Sequence, residues 1–202
     1  MIWLSVLYFL VVLLLLGYSA LYFFKKPQEP VELMSLSLIV GLAVWICLSV
    51  LLSLIGIPLH WLVLLVLAAI IPLYSLKENN WKIDIETYDY TNTKKFILAG
   101  LAIIFAFTIL MYSGGALNHD YLEDWDPYQH AQSASYVSQE MTLETTPHYS
   151  FKYLDPYPPG YAAIMGVLHQ TNDSVNTTLK LFNGLILAIG ILFSFFAFKQ
   201  VL

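Results

Sequence analysis

Arginine is absent from this chain, cysteine occurs once, and charged residues fill only 11% of its 202 positions. Without arginine, no side chain can clamp a phosphate bidentately. The nine basic residues are all lysines and form no basic patch, so the electrostatic footprint of a nucleic-acid binder is missing. A single thiol, Cys47, cannot form an intrachain disulfide, and the redox compartment is not readable from it. Flanked by Trp45, Ile46 and Leu48, it reads as a packing residue. So little charge excludes a disordered chain and argues against an ordinary soluble domain. Internal repeats and low-complexity tracts are also lacking.

What the chain does have is long apolar runs. It is 58% hydrophobic, with a mean hydropathy of +0.68. A helix needs about 20 apolar residues to cross a hydrocarbon core. Five stretches reach or approach that length: Ile2–Phe24, Leu33–Gly56, Ile57–Leu76, Phe96–Tyr112 and Leu179–Phe198. Barrel strands would be shorter and would alternate, so the spans are helical. The first is too long for a signal peptide, lacks a basic start and is followed by Lys25 and Lys26. The expected class is an all-α integral membrane fold of about five transmembrane helices. Residues 1–95 form a three-helix region with a cytoplasmic loop. Residues 96–202 form a second module around a long loop at 113–178.

Lysine placement predicts the orientation. With the N-terminus outside, seven lysines face the cytoplasm and only Lys152 and Lys180 face outward. The positive-inside rule selects that arrangement. Spans two and three then form a hairpin near Gly56–His60, Ser75–Lys95 lies inside, and the Ser113–Thr178 loop lies outside. The plasma membrane of a prokaryote is the expected location.

The outer loop is too long for a plain connector. Glu123, Asp124 and Asp126 crowd together, and their joint ionisation would favour a bound cation. Asp126-Pro127 predicts a helix start, with Asp126 as cap and Pro127 first in a helix over Tyr128–Met141. An Asp-Pro pair also occurs as a bare cap with no other role. His130 falls one turn after Asp126, and a carboxylate with one imidazole suits Mg²⁺ or Mn²⁺. Tyr128, Tyr157 and Tyr161 can offer ring faces to a ligand or sit as interfacial aromatics. Pro158 and Pro159 hold the backbone extended before Tyr161–Gln170. That segment is too short to cross and is expected to lie at the interface or re-enter. His119, Glu144 and His148 are further potential ligands, each also readable as a solvated loop residue. Asn172-Asp173-Ser174 and Asn176-Thr177-Thr178 match the glycosylation sequon.

Asp126-Pro127-Tyr128-Gln129-His130, the Tyr157-Pro158-Pro159-Gly160-Tyr161 element, a short apolar helix and a returning span together resemble the N-terminal part of GT-C glycosyltransferases. That superfamily includes oligosaccharyltransferase catalytic subunits, protein O-mannosyltransferases and the aminoarabinose transferases of lipid A. The resemblance covers roughly residues 96–202. It implies that Asp126 matches the essential acid of the first external loop, His130 a position often basic, and Pro158-Pro159 the paired prolines. It further implies a polyprenyl-phosphate-linked sugar donor, an acceptor arriving from water, and catalysis by Asp126, with Asp124 and Glu123 as second choices. Three spans precede the helix that would be first in the family, and the chain ends after span five. A fragment of a longer enzyme is therefore expected. The alternative is a non-catalytic membrane subunit whose acidic loop binds a cation or a partner.

Overall fold

The computed structural model describes residues 2–23, 30–78, 91–145, 151, 153–155 and 157–201. They form seven helices and no strand. In chain order these are α1 (Ile2–Tyr22), α2 (Pro30–Leu54), α3 (Trp61–Glu78), α4 (Asn92–Ala116), α5 (Trp125–Glu140), α6 (Gly160–His169) and α7 (Val175–Val201). Five of them, α1, α2, α3, α4 and α7, are long and apolar enough to cross a membrane. The chain is thus an all-α integral membrane protein, with two further helices in the connection between α4 and α7.

Helix boundaries differ from the hydropathy reading wherever polar residues cap. α2 begins at Pro30 instead of Leu33, because proline is pre-organised for a first turn. It stops at Leu54, and Gly56 turns the chain with φ 72°. α3 waits until Trp61, four residues after the expected Ile57, and His60 Nδ1 accepts from Leu62 N–H. Thr91 accepts from Lys94 N–H and starts α4 at Asn92. Ser174 Oγ accepts from Thr177 N–H and starts α7 at Val175, four residues before the apolar run that begins at Leu179. A side-chain acceptor can satisfy the free N–H groups of a first turn whether or not the flanking residues are apolar.

α1 and α2 make the tightest pair. A Cβ on Gly17 would lie 1.9 Å from the Ser37 carbonyl oxygen, and one on Gly41 would lie 2.1 Å from that of Leu13. Small residues let membrane helices approach to backbone contact, where dispersion replaces the missing hydrophobic drive. Phe9, Trp45 and Phe182 are fully buried and lock α1, α2 and α7 together through ring contacts at 6.1 and 5.1 Å. Tyr8 donates to the Trp61 carbonyl (2.8 Å), Tyr18 pairs with Ser75 (3.0 Å) and Tyr22 donates to Glu78 (2.6 Å), fastening α3 along α1.

One end of this bundle carries the loop helices. Ser5 at the start of α1 donates to the Thr171 carbonyl (2.9 Å). Gln170 accepts from Trp61 N–H (3.0 Å) and donates to the Leu59 carbonyl (2.8 Å). Leu59 N–H donates to the Met141 carbonyl (2.7 Å), and Ser53 accepts from Leu143 N–H (3.0 Å). The start of α1, the α2–α3 turn and the loop therefore share one end, as alternating spans require.

α6 does not run on into α7. Tyr161 bonds Asn183, and Asn172 bonds Thr178, so the two helices form an antiparallel hairpin. At 10 residues and about 1.5 Å per residue, α6 is about half the length of a crossing helix. It is more enclosed than an interfacial helix would be, because eight of its ten residues are buried. Neighbours on several sides explain its uniformly apolar composition. Gly166 is part of that packing, since a Cβ there would meet the Val137 side chain at 2.6 Å.

His169 ends α6 with a buried Nδ1 that has no hydrogen-bond partner among the described residues. Burial pushes its imidazole pKa down, against smaller upward pulls from a hydrogen bond to the Asn172 backbone and from Asp173. The folded state thus prefers a neutral His169, and the unfolded chain binds its proton more readily. Stability is present above the ordinary histidine pKa, about 6.5, and falls as pH drops through the lower folded value. Melting between about pH 7.5 and pH 5 should show this loss, and His169→Gln should flatten the profile. An unchanged slope in the variant would exclude His169 as the cause.

Candidate functional site

α5 positions the acidic element. Asp124, not Asp126, is the N-cap: its backbone is extended and its side chain accepts from Trp125 N–H at 2.6 Å. Pro127 is the third helical residue instead of the first. Any position in the first turn tolerates proline, because the N–H there has no intrahelical acceptor. The Asp-Pro pair therefore did not fix the cap. With Asp124 as the cap, the Asp126 carboxylate is available for other contacts, at the end of the helix where the dipole favours negative charge.

Asp126 accepts a hydrogen bond from Tyr153 OH. His130 Nε2 lies 3.9 Å from Asp126 Oδ2, one turn along α5. The His130 ring stacks on Tyr153, with centroids 3.7 Å apart and planes 22° apart. It meets Tyr161 edge-on at 4.9 Å. Tyr157 tilts against Tyr153 at 5.4 Å. Tyr161 OH donates to Asn183 Oδ1 on α7 at 2.8 Å. The two loop signatures, Asp126–His130 and Tyr157–Tyr161, thus converge around one imidazole, with Tyr153 wedged between them. The Asp126 side chain is 61% exposed and that of His130 only 27%.

The hydrogen bond to Asp126 leads the causes that push Tyr153 up to about 12. Burial pushes Tyr161 up to about 12, although its bond to Asn183 pulls the other way. Both phenols stay protonated at neutral pH, so they act as donors and ring faces and leave the role of base to others.

Beside this cluster is a cavity of about 410 Å³. Its walls come from the end of α4 (Tyr112, Gly115, Ala116), from Glu123, Pro127 and His130, and from Tyr161, Lys180 and Asn183. It lies between α4 and α7, two helices long and apolar enough to cross the membrane. Lys180 also ties the loop down, donating to the carbonyls of His119 and Tyr121.

Other expected residues are not drawn in. Tyr128 is exposed, packs against Trp125 at 6.0 Å and lines a different cavity. Pro158 is exposed, and Pro159 precedes α6 without a side-chain cap. His119 stacks on Tyr121 at 5.3 Å, away from His130, and Glu144 offers its backbone carbonyl to Tyr136. His148 lies outside the described residues. Among the described residues no group of three His, Cys, Asp or Glu gathers for a metal. A cation would have Asp126 and His130 as protein ligands, with its other positions left to phosphate oxygens and water, the manner in which Mg²⁺ is commonly held. The crowding of acids thus does not create a closed protein cage. Asn172 is bonded to Leu168, Ser174 and Thr178 and organises the α6–α7 turn, so its amide is engaged in structure. Asn176 likewise donates to the Asp120 carbonyl at 3.0 Å.

Two site residues escaped the sequence reading. Tyr153 lies 27 positions from Asp126, and no local spacing links them. Asn183 carried a usable signal, being a polar amide inside an apolar span, where such residues mark sites. Comparison with protein-family models, with curated proteins and with solved structures finds no match to this chain.

Proposed function

We propose that this chain carries the loop site of a GT-C-like membrane glycosyltransferase, using a polyprenyl-phosphate-linked sugar at the outer membrane face. The observation that carries the reading is the convergence of Asp126, His130, Tyr153 and Tyr161 beside a cavity bordered by two apolar helices. A lipid-borne headgroup needs such a place, with its tail in the bilayer and its reacting carbon in reach of polar groups.

The chemistry follows from the donor set. An acceptor hydroxyl attacks the anomeric carbon, the bond from that carbon to the phosphate oxygen breaks, and polyprenyl phosphate leaves. Asp126 takes the hydroxyl proton, held in place by Tyr153 OH. General-base assistance of this kind contributes about 10²-fold or more. His130 orients the carboxylate, and Tyr157 and Tyr161 offer ring faces to the sugar. Mg²⁺ or Mn²⁺ on Asp126 and His130 would neutralise charge on the departing phosphate. The exposure of Glu123 and Asp124 favours a second reading, an acidic surface that docks a partner subunit.

Proteoliposomes containing the chain and radiolabelled polyprenyl-phosphate sugars distinguish the two readings. The transferase reading expects sugar to leave the lipid, and chelation separates a base role for Asp126 from a ligand role. Sugar that stays on every donor offered, with the loop instead retaining a partner subunit, favours the second reading.

The orientation has its own test. With Cys47 replaced, a cysteine at Gln139 should label from outside with an impermeant maleimide, and one at Asn79 only after permeabilisation. Gln139 is exposed and so accessible to the reagent. Labelling of both from outside would refute the map.

A further inference from the structure

A second cavity, about 760 Å³, lies on the face of α5 opposite His130. Tyr128, Gln132, Ser135 and Gln139 recur at spacings of four, three and four and line it from one helix face. Tyr121 and Glu140 add to the walls. Asp126, His130, Ala134 and Val137 fall on the other face, towards α6. This cavity is therefore separate from the Asp126 site, although Leu122 borders both.

We infer that this groove binds a neutral oligosaccharide. The side chains of Gln132, Ser135 and Gln139 make no hydrogen bond to any described residue, and each offers both donors and acceptors. Sugar hydroxyls require that pairing in both directions. Tyr121 and Tyr128 are 59% and 49% exposed, large aromatic surfaces suited to the apolar face of a pyranose. Among the described lining residues none is basic, and Glu140 is the one acid. Phosphates and acidic sugars thus meet one repulsive group and no countercharge among these residues. The wall is mixed: the amides and hydroxyl of Gln132, Ser135 and Gln139 face apolar surface from Leu122, Ala131, Phe151 and Val175, the pairing that a sugar with polar edges and an apolar face needs. The size falls within the usual span of ligand clefts, about 300–1,000 Å³.

The inference stands apart from the transferase reading. Purified full-length chain in detergent is titrated with maltotetraose, cellotetraose and chitotetraose, with tetragalacturonate and tetra-alanine as contrasts, and tryptophan fluorescence and saturation-transfer NMR are recorded. At least one neutral tetrasaccharide should bind with a Kd of about 10 mM or tighter. Gln132→Leu and Tyr128→Ala, both away from the core, should each weaken it about tenfold with the melting temperature unchanged. Asp126→Asn should bind as the parent does, even where it abolishes transfer. The proposal is overturned if no neutral probe binds, if both groove variants bind like the parent, if tetragalacturonate or the peptide binds better, or if Asp126→Asn removes the binding.

Discussion

Alanine at Gly17 or Gly41 should cost about 3 kcal/mol, and the double substitution should prevent accumulation of folded protein. The new methyl groups would sit 1.9 Å and 2.1 Å from the carbonyl oxygens of Ser37 and Leu13. Those are backbone atoms of a neighbouring helix and cannot turn aside as a side chain would. α1 and α2 must separate, and contacts among Phe9, Trp45 and Phe182 loosen with them. Whole-protein stability is commonly only 5–15 kcal/mol, so about 3 kcal/mol is a large share. Gly190 is the control: a Cβ there meets nothing within 4 Å, and Gly190→Ala should stay within about 0.5 kcal/mol of the parent. Thermal melts in detergent decide it. Equal stability of Gly17→Ala, Gly41→Ala and Gly190→Ala would mean that α1 and α2 do not touch backbone to backbone.

The five spans were legible because crossing a bilayer leaves a mark of length and composition that needs no tertiary knowledge. Their ends were less so. Ser174 and Thr91 begin helices earlier than apolar runs do, since a cap depends on one hydroxyl and its backbone angles. The same limit misassigned the α5 cap to Asp126. The relation of Asp126 to His130 was legible, being one helical turn apart. Tyr153 was not, because its approach is made by the fold of residues between α5 and α6. The burial of α6 was hidden for a similar reason: a ten-residue apolar stretch reads alike whether lipid or protein surrounds it.

The second large effect belongs to Asp126. Asparagine keeps an oxygen for Tyr153 OH and is nearly the same shape, so Asp126→Asn should fold and melt like the parent. It loses the charge that accepts a proton or holds a cation, and transfer should fall about 10²-fold or more. Asp124→Asn should change little, since asparagine caps a helix as well as aspartate does, while Asp124→Ala should lose about 1 kcal/mol of stability and retain transfer. These opposite profiles separate a chemical carboxylate from a structural one only two residues away.

The most direct measurement is therefore sugar transfer from a polyprenyl-phosphate donor by the parent, Asp126→Asn and Asp124→Ala, each paired with its melting temperature. The account predicts an inactive but fully stable Asp126→Asn beside an active but less stable Asp124→Ala. Near-normal transfer by Asp126→Asn would contradict it, and an inactive Asp124→Ala of unchanged stability would move the site to the cap.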